Sequence, residues 1–446
     1  MKKFSHDNDF AQCGPICNML SQYAASDSVR FHMPSHKGTL TPYDVTELGF
    51  SDNLQNEQGV IAESEKQFAA AFGADRAFYS VNGSTAGIYA LLKSAEGRIL
   101  IERNSHVSVY RGLELLQKTA VVVNNKWQNN RFLPLCAEQV QEAVEAHPEI
   151  GTVLLTYPDY YGCCCELEKI SAYLKQKGIL LFVDSAHGAH FGLSPLLPQH
   201  AVRHCNACVA SAHKTLGALT QSAVVLSDHT LAPRVKENLN FFLSTSPSYL
   251  LMASIEIGLH RVLKKDFWKN LQEEIERFKT AVALKGFRWM PTDDFSRIVL
   301  DVAASGFDSE ELFHFLEKQG IYAECYDKNR IVFIASVFHD GADFQRLRAA
   351  LWKAADSLQK TKTAEIVWTP EPFGEVRQWT GKTKIIPLAC SEGKICAVNA
   401  GIYPPAVPVL QKGEKITQAK LDFLQNFSDN LFGIEPQGIE VFEEGL

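Results

Sequence analysis

The sequence predicts an α/β fold: a large domain on a mostly parallel, seven-stranded sheet, followed by smaller α/β domains. Three observations predict it. Between residues 60 and 230, short apolar runs alternate with helix-like stretches. A second, shorter alternation begins near residue 297. A long helical pattern over 248–285 lies between the two.

The first alternation supplies its strands in the order RAFYSV, RILIE, AVVV, TVLLTY, ILLFVD, NACVAS and AVVLS. Each run is short, bounded and rich in β-branched residues, which is how a strand buried on both faces reads. The helical stretches among them are ESEKQFAAAFG, TAGIYALLKSA, CAEQVQEAVEAH and ELEKISAYLKQKG. Strands alternating with helices build a parallel sheet, and such sheets bind ligands beyond the carboxyl ends of their strands. In the second alternation RIVLDVA and RIVFIAS read as strands, DSEELFHFLEKQG and DFQRLRAALWKAADSL as helices. The proline-bearing TKTAEIVWTPEPFGE marks a boundary near 362–374. Beyond it come KIIPLAC, KICAVNAGIYPPAVPVL and a last helical stretch. The expected divisions are an N-terminal segment 1–40, a large domain 41–265, a small α/β domain 266–362 and a C-terminal domain 363–446.

Composition narrows the function. The chain is 46% hydrophobic and 21% charged, ordinary for a globular protein with more than one core. A formal charge of -7 without a long basic run argues against a nucleic-acid partner. The start, MKKFSHDNDFAQCGP, has no apolar stretch behind its lysines, and no run is long enough to span a bilayer, so neither secretion nor a membrane is expected. The 11 cysteines are scattered apart from Cys163-Cys164-Cys165, and neighbours of that kind pair poorly. A reducing, cytoplasmic compartment follows. Cys205-x-x-Cys208 has zinc or redox spacing, but no second pair completes a tetrahedral site, and no metal is expected.

The strand ends hold the polar residues of interest. After RAFYSV come Asn82-Gly83-Ser84-Thr85 and a helical run. Small polar residues opening a helix make either a plain capped turn or a phosphate cradle. After RILIERN come Ser105-His106, a surface histidine or one that lies flat on an aromatic ligand. After ILLFV comes Asp184, either a helix cap or a buried carboxylate that requires a cationic partner. After NACVAS comes Lys214, about one βα unit further on. Desolvation there disfavours the ammonium, and a neutral amine attacks aldehydes. Pyridoxal 5'-phosphate (PLP) requires these four parts: an amine, an anion beside its ring nitrogen, a phosphate cup and a stacking group. Lys214, Asp184, Gly83-Ser84-Thr85 and His106 supply them.

At these residues the chain resembles the Orn/Lys/Arg decarboxylases, PLP enzymes of the aspartate-aminotransferase fold, type I. Ser211-Ala212-His213-Lys214-Thr215-Leu216 with Leu219-Thr220-Gln221 is similar to their S-x-H-K-T-L…LTQ segment. Further similar blocks are HMPSHKG (32–38), DVTEL (44–48), VNGSTAG (81–87), RNSHVS (103–108), TYPDYYG (156–162), VDSAHGAHFG (183–192), STSPSYLLMAS (244–254) and YPP (403–405). The likeness is to the compact members without an N-terminal wing domain. It implies that Lys214 holds the cofactor's aldehyde, Asp184 pairs with the ring nitrogen, His106 stacks on the ring and His187 lies beside it. It implies that Ser84, Thr85, Ser211 and His213 hold the phosphate, and that Thr245 or Ser246 reaches the phosphate of a neighbouring subunit in a homodimer or larger even oligomer. Departures fall at Ser35, Thr39, Ser185 and Gly217, and above all in GKICAVNAGIYPPAVP, where Lys394, Val398 and Ala406-Val407 replace the usual Arg, Glu and Gly-Ile.

Decarboxylation of arginine, lysine or ornithine is the implied reaction. Asp44, Glu47 and Asp52 are candidate carboxylates for the substrate's distal cation. Two alternatives stay open: an aminotransferase or lyase, with Arg330 as a possible α-carboxylate anchor, and a PLP-binding regulatory homologue without turnover.

Overall fold

The computed structural model describes residues 10–263, 265–362, 365–403, 407–427 and 431–443. Two compact units emerge: the chain up to Ala95 together with Leu181–Lys269, and Glu96–Leu180 together with Asn270 onward. The fold is α/β with a large, mostly parallel sheet.

In the first unit the strand order is Arg76–Ser80, Ala223–Ser227, Ala207–Ala210, Leu180–Asp184. Ala223–Ser227 runs antiparallel to both neighbours, while Ala207–Ala210 and Leu180–Asp184 are parallel. Three of the four strands therefore point the same way, and every residue of Ala207–Ala210 and Ala223–Ser227 is buried. The helix Gly83–Ser94 lies directly on them. At Gly87 a β-carbon would come within 2.8 Å of Val209 and 3.0 Å of Val225, so only glycine permits this approach. At the sheet's border, the Tyr79 N–H donates to the buried carboxyl of Glu65 at 2.7 Å. That carboxyl belongs to the helix Val60–Phe72. The N-terminal helix Pro15–Ala25 has no side-chain cap of its own. Its first N–H groups, of Ile16 and Cys17, donate to the buried Glu256 at 2.9 and 2.8 Å.

The helical pattern over 248–285 resolves into two helices, Tyr249–Val262 and Lys265–Ala283, where one was expected. The indole N–H of Trp268 takes the carbonyl of Val262 at 2.9 Å. A terminal carbonyl satisfied by a side chain leaves the first helix free to end there.

In the second unit the order is Ile150–Thr156, Arg98–Glu102, Ala120–Val123, Phe373–Val376. The first three are parallel and the last is antiparallel. The large sheet thus counts eight strands against the expected seven. The additional one comes from the proline-bearing segment read as a boundary. Pro372 precedes it, and its carbonyl accepts the Asn124 N–H at 3.0 Å, a position on an edge strand that proline tolerates. A four-stranded antiparallel sheet, Arg288–Trp289, Arg297–Asp301, Arg330–Ile334 and Cys325–Tyr326, pairs with the helices Ser309–Lys318 and Gly341–Ser357 in this unit. Near the C-terminus a separate apolar cluster includes Ile402, Val407, Leu410, Ile416 and Phe423. No helix among the described residues is long and apolar enough to cross a membrane.

Candidate active site

The first unit gathers most of the residues singled out above at strand exits. Asp184 ends its strand opposite Val209 and is buried, and its Oδ1 accepts the Ala186 N–H at 3.1 Å. The chain then turns through Ser185 and Ala186 to His187, also buried. From the neighbouring strand, Ser211 opens a single helical turn, Ala212–Thr215, that presents Lys214. The Lys214 Nζ lies 3.1 Å from His187 Nε2. The half-buried lysine thus faces an imidazole from the turn that follows the adjacent parallel strand.

The two segments that carry this pair also carry hydroxyls whose hydrogen-bonding capacity is unspent. Ser185 Oγ, Ser211 Oγ and Thr215 Oγ1 are buried without a hydrogen-bond partner. Burying a hydroxyl unpaired costs about 1–3 kcal/mol, so three together read as donors kept for an acceptor. Thr215 was not among the residues singled out in the sequence. Its signal was there: it follows Ser211 by four positions, the spacing that puts two side chains on one helix face. Gly83, at φ 75, opens the helix Gly83–Ser94, and its N–H donates to Gln221 O at 2.9 Å. Nothing lies within 4 Å of where its β-carbon would be. Ser84 is half-buried and Thr85 exposed in the first turn of that helix, where backbone dipoles favour an anion. A phosphate group fits this donor set.

His213 is held from its own side. Its backbone N–H and its ring Nδ1 both reach the carbonyl of Ser222, at 3.2 and 2.9 Å. Burial, with the Lys214 charge beside it, moves its pKa below the usual histidine value, against the backbone hydrogen bond. Thr245 and Ser246 are exposed, in a loop tied back by Ser244 N–H to the Asn82 side chain at 3.1 Å.

The three acids proposed for a distal cation differ. Asp52 accepts the N–H groups of Asn53, Gln58, Gly59 and Ile61, which hold its carboxyl below the usual range although burial works the other way. It caps the helix Val60–Phe72, and its lone pairs are committed to backbone. Asp44 lies 3.2 Å from His36 Nε2. Glu47 accepts the Thr46 hydroxyl at 2.5 Å on one oxygen, while its Oε1 is buried without a hydrogen-bond partner.

In the second unit His106 caps the helix Val107–Leu115, its Nδ1 accepting the Ser108 N–H at 3.2 Å, with an exposed ring. The turn before it is anchored by Arg103, buried against Asn124 Oδ1 at 2.6 Å and Glu414 at 3.2 Å. Arg330 is no open anchor. Its guanidinium donates to the carbonyls of Asn129 and Asn130 and lies 3.6 Å from Asp327. It pins a hairpin turn in which both asparagines have positive φ. Of the altered C-terminal positions, Val398 and Val407 pack in the apolar cluster, and Lys394 shares backbone bonds with Ser391 and Ile416. Pro404, Pro405 and Ala406, part of the YPP likeness, lie outside the described residues.

Comparison with known proteins identifies the family and the fold. The family model described as "Orn/Lys/Arg decarboxylase, major domain" matches residues 39–291, and the corresponding C-terminal domain model matches 357–442. An arginine decarboxylase of Halalkalibacterium halodurans is 26% identical, over 96% of this chain and 95% of that protein. An arginine decarboxylase of Bacillus subtilis is 25% identical, over 96% and 95%. The uncharacterised YaaO of the same organism is 27% identical over 92% and 93%. Among solved structures, lysine decarboxylase A from Pseudomonas aeruginosa superposes with a TM-score of 0.79 at 16% identity, covering 98% of this chain and 81% of that one. SPT with PLP superposes at 0.56 and 14% identity, covering 77% and 84%. These two establish the fold, type I of the PLP-dependent enzymes.

Proposed function

The chain belongs to the Orn/Lys/Arg decarboxylase family, and from that premise we propose that it removes the carboxyl group of a basic amino acid as CO2, with PLP as cofactor. The observation that carries the reading is the Lys214–His187 pair at 3.1 Å, with Asp184 buried at the end of the neighbouring strand.

When bound, PLP supplies an aldehyde and an electron-accepting pyridinium ring. The protein's residues do the rest. Lys214 would hold the aldehyde and would return a proton to the substrate's Cα, with His187 as its proton partner. Asp184 would keep the ring nitrogen protonated, a pairing that gains strength where water is excluded. Ser84, Thr85, Ser211 and His213 would bind the phosphate, and Thr215 would join them. His106 would stack on the ring. The substrate is arginine, lysine or ornithine, and the product is the corresponding amine, a polyamine precursor. Glu47, with an unspent buried oxygen, is the best partner for the distal cation, and Asp44 is the second. Asp52 is set aside because it caps a helix.

The working form is a homodimer in which Thr245 and Ser246 reach the neighbour's phosphate. Val29, Phe31, Met33 and Leu40, exposed by 81%, 92%, 65% and 82%, form an apolar segment that a second copy would cover.

The test is an amino-acid panel assayed for CO2 and amine with PLP-loaded protein. Release from one basic amino acid is expected. A keto acid product, or no product from any of them, would sink the reading. Borohydride reduction should tag the peptide that contains Lys214.

A further inference from the structure

The turn that presents Lys214 is built from a helix far away in sequence. Ser254, buried in the helix Tyr249–Val262, has its hydroxyl 2.6 Å from Leu251 O, 3.0 Å from Leu219 N and 3.1 Å from Ser222 Oγ. A hydroxyl has one proton, and the nearest acceptor is the Leu251 carbonyl. Ser254 therefore accepts from the Leu219 N–H, and the single Ser222 hydroxyl proton has two acceptors in reach, Ser254 Oγ at 3.1 Å and the Leu251 carbonyl at 3.2 Å. Ser222 is fully buried, and its carbonyl carries both contacts from His213. A carbonyl only accepts, so His213 Nδ1 bears the hydrogen and Nε2 is the ring atom that titrates. One turn further along the same helix, Gly258 passes so close that a β-carbon would stand 2.5 Å from the Leu216 carbonyl. One helix thus grips the 213–222 loop at Leu216, Leu219 and Ser222.

We propose that Ser254 is a positioning residue for the Lys214 turn, fixing His213 through Ser222 as the Nδ1–H tautomer. This rests on the reading that Lys214 and His213 meet the cofactor. Held in this way, His213 offers Nε2 at a defined place, and Lys214, its chain neighbour, keeps its reach toward His187. Without the Ser254 acceptor, the Leu219 N–H loses its partner, the Ser222 hydroxyl keeps only the Leu251 carbonyl at 3.2 Å, and the Ser222 carbonyl is held less firmly.

The experiment compares wild type, Ser254→Ala and Ser254→Thr. Nitrogen-15 NMR of histidine-labelled protein without cofactor reads the His213 tautomer. The expected result is Nδ1–H in wild type and in Ser254→Thr, and a mixture in Ser254→Ala. With PLP, the absorbance-against-pH curve should move by more than about half a unit in Ser254→Ala and stay near wild type in Ser254→Thr. If Ser254→Ala does not fold, Ser254→Cys, close in size and weaker as an acceptor, replaces it. A variant that loses thermal stability yet keeps the wild-type tautomer and absorbance curve would overturn the proposal. Wild type that takes up no PLP would overturn the cofactor reading instead, and the tautomer measurement would still decide the hold of Ser254 on His213.

Discussion

At the scale of single residues, the chemistry concentrates on an amine and the groups that face it. Lys214→Ala should abolish borohydride tagging and lower CO2 release by on the order of 10^3 or more, because a nucleophile and a proton carrier vanish together. His187→Ala should retain tagging while slowing turnover, which a single-turnover measurement separates. A different residue contributes to pH behaviour. Burial raises the Glu65 carboxyl from its usual range to about 8; Lys236 and Arg76 oppose this and Glu57 adds to it. An acid whose pKa is higher folded than unfolded stabilises fully below the unfolded value, near 4.5, and that contribution is lost as pH rises through the folded one. Glu65 should therefore lower urea midpoints between about pH 5 and 8 in wild type, and Glu65→Gln should remove that part of the slope.

At the scale of elements, close approach is the recurring device. Gly258→Ala would drive a methyl group against the backbone carbonyl of Leu216, which cannot swing away as a side chain could. A loss of about 1–3 kcal/mol and weaker PLP absorbance are expected, against no change in Gly49→Ala, where nothing lies within 4 Å. Glu256→Ala should strip two N–H partners from the N-terminal helix, cost about 1–3 kcal/mol, and appear as faster amide exchange over Pro15–Ala25. The seven strand runs were legible because burial on both faces demands unbroken β-branched stretches. Asp184 was legible because a charge straight after such a stretch has few explanations, and Lys214 because it follows about one βα unit later. The helix Val107–Leu115 was missed: VSVYRGLEL carries β-branched residues and a glycine, and tertiary packing decides it. The strand Phe373–Val376 was hidden by the prolines before it, Pro370 and Pro372, and forms by pairing with Ala120–Val123, some 250 residues away. The role of Ser254 was invisible for the same reason, since it lies in contacts with a loop more than 30 positions distant. Asp52 misled because an acid before a helical run serves as its cap as readily as it serves a substrate.

At the scale of the whole molecule, the proposed dimer rests on the exposed apolar residues of segment 29–40. Replacing Phe31 and Leu40 with aspartate should shift sedimentation from dimer to monomer and lower PLP affinity, if Thr245 and Ser246 act across the interface. The second unit has its own long-range tie: Glu414, whose carboxyl Arg103 and Lys420 hold below the usual range against burial, joins the C-terminal region to the turn before His106. Glu414→Ala would leave the Arg103 guanidinium buried without its counter-charge, at a cost of about 3–5 kcal/mol.

The acceptor that Glu65 offers to Tyr79 has a further consequence. Arg76–Ser80 is the outermost strand of its sheet, and a bare margin of that kind invites foreign chains to add themselves as the next strand. Here one donor of the margin is already occupied by a neighbouring helix. Under alkaline conditions the charged carboxylate would be pulled toward water, and the protein should begin to clump into β-rich aggregates before it has lost its helices.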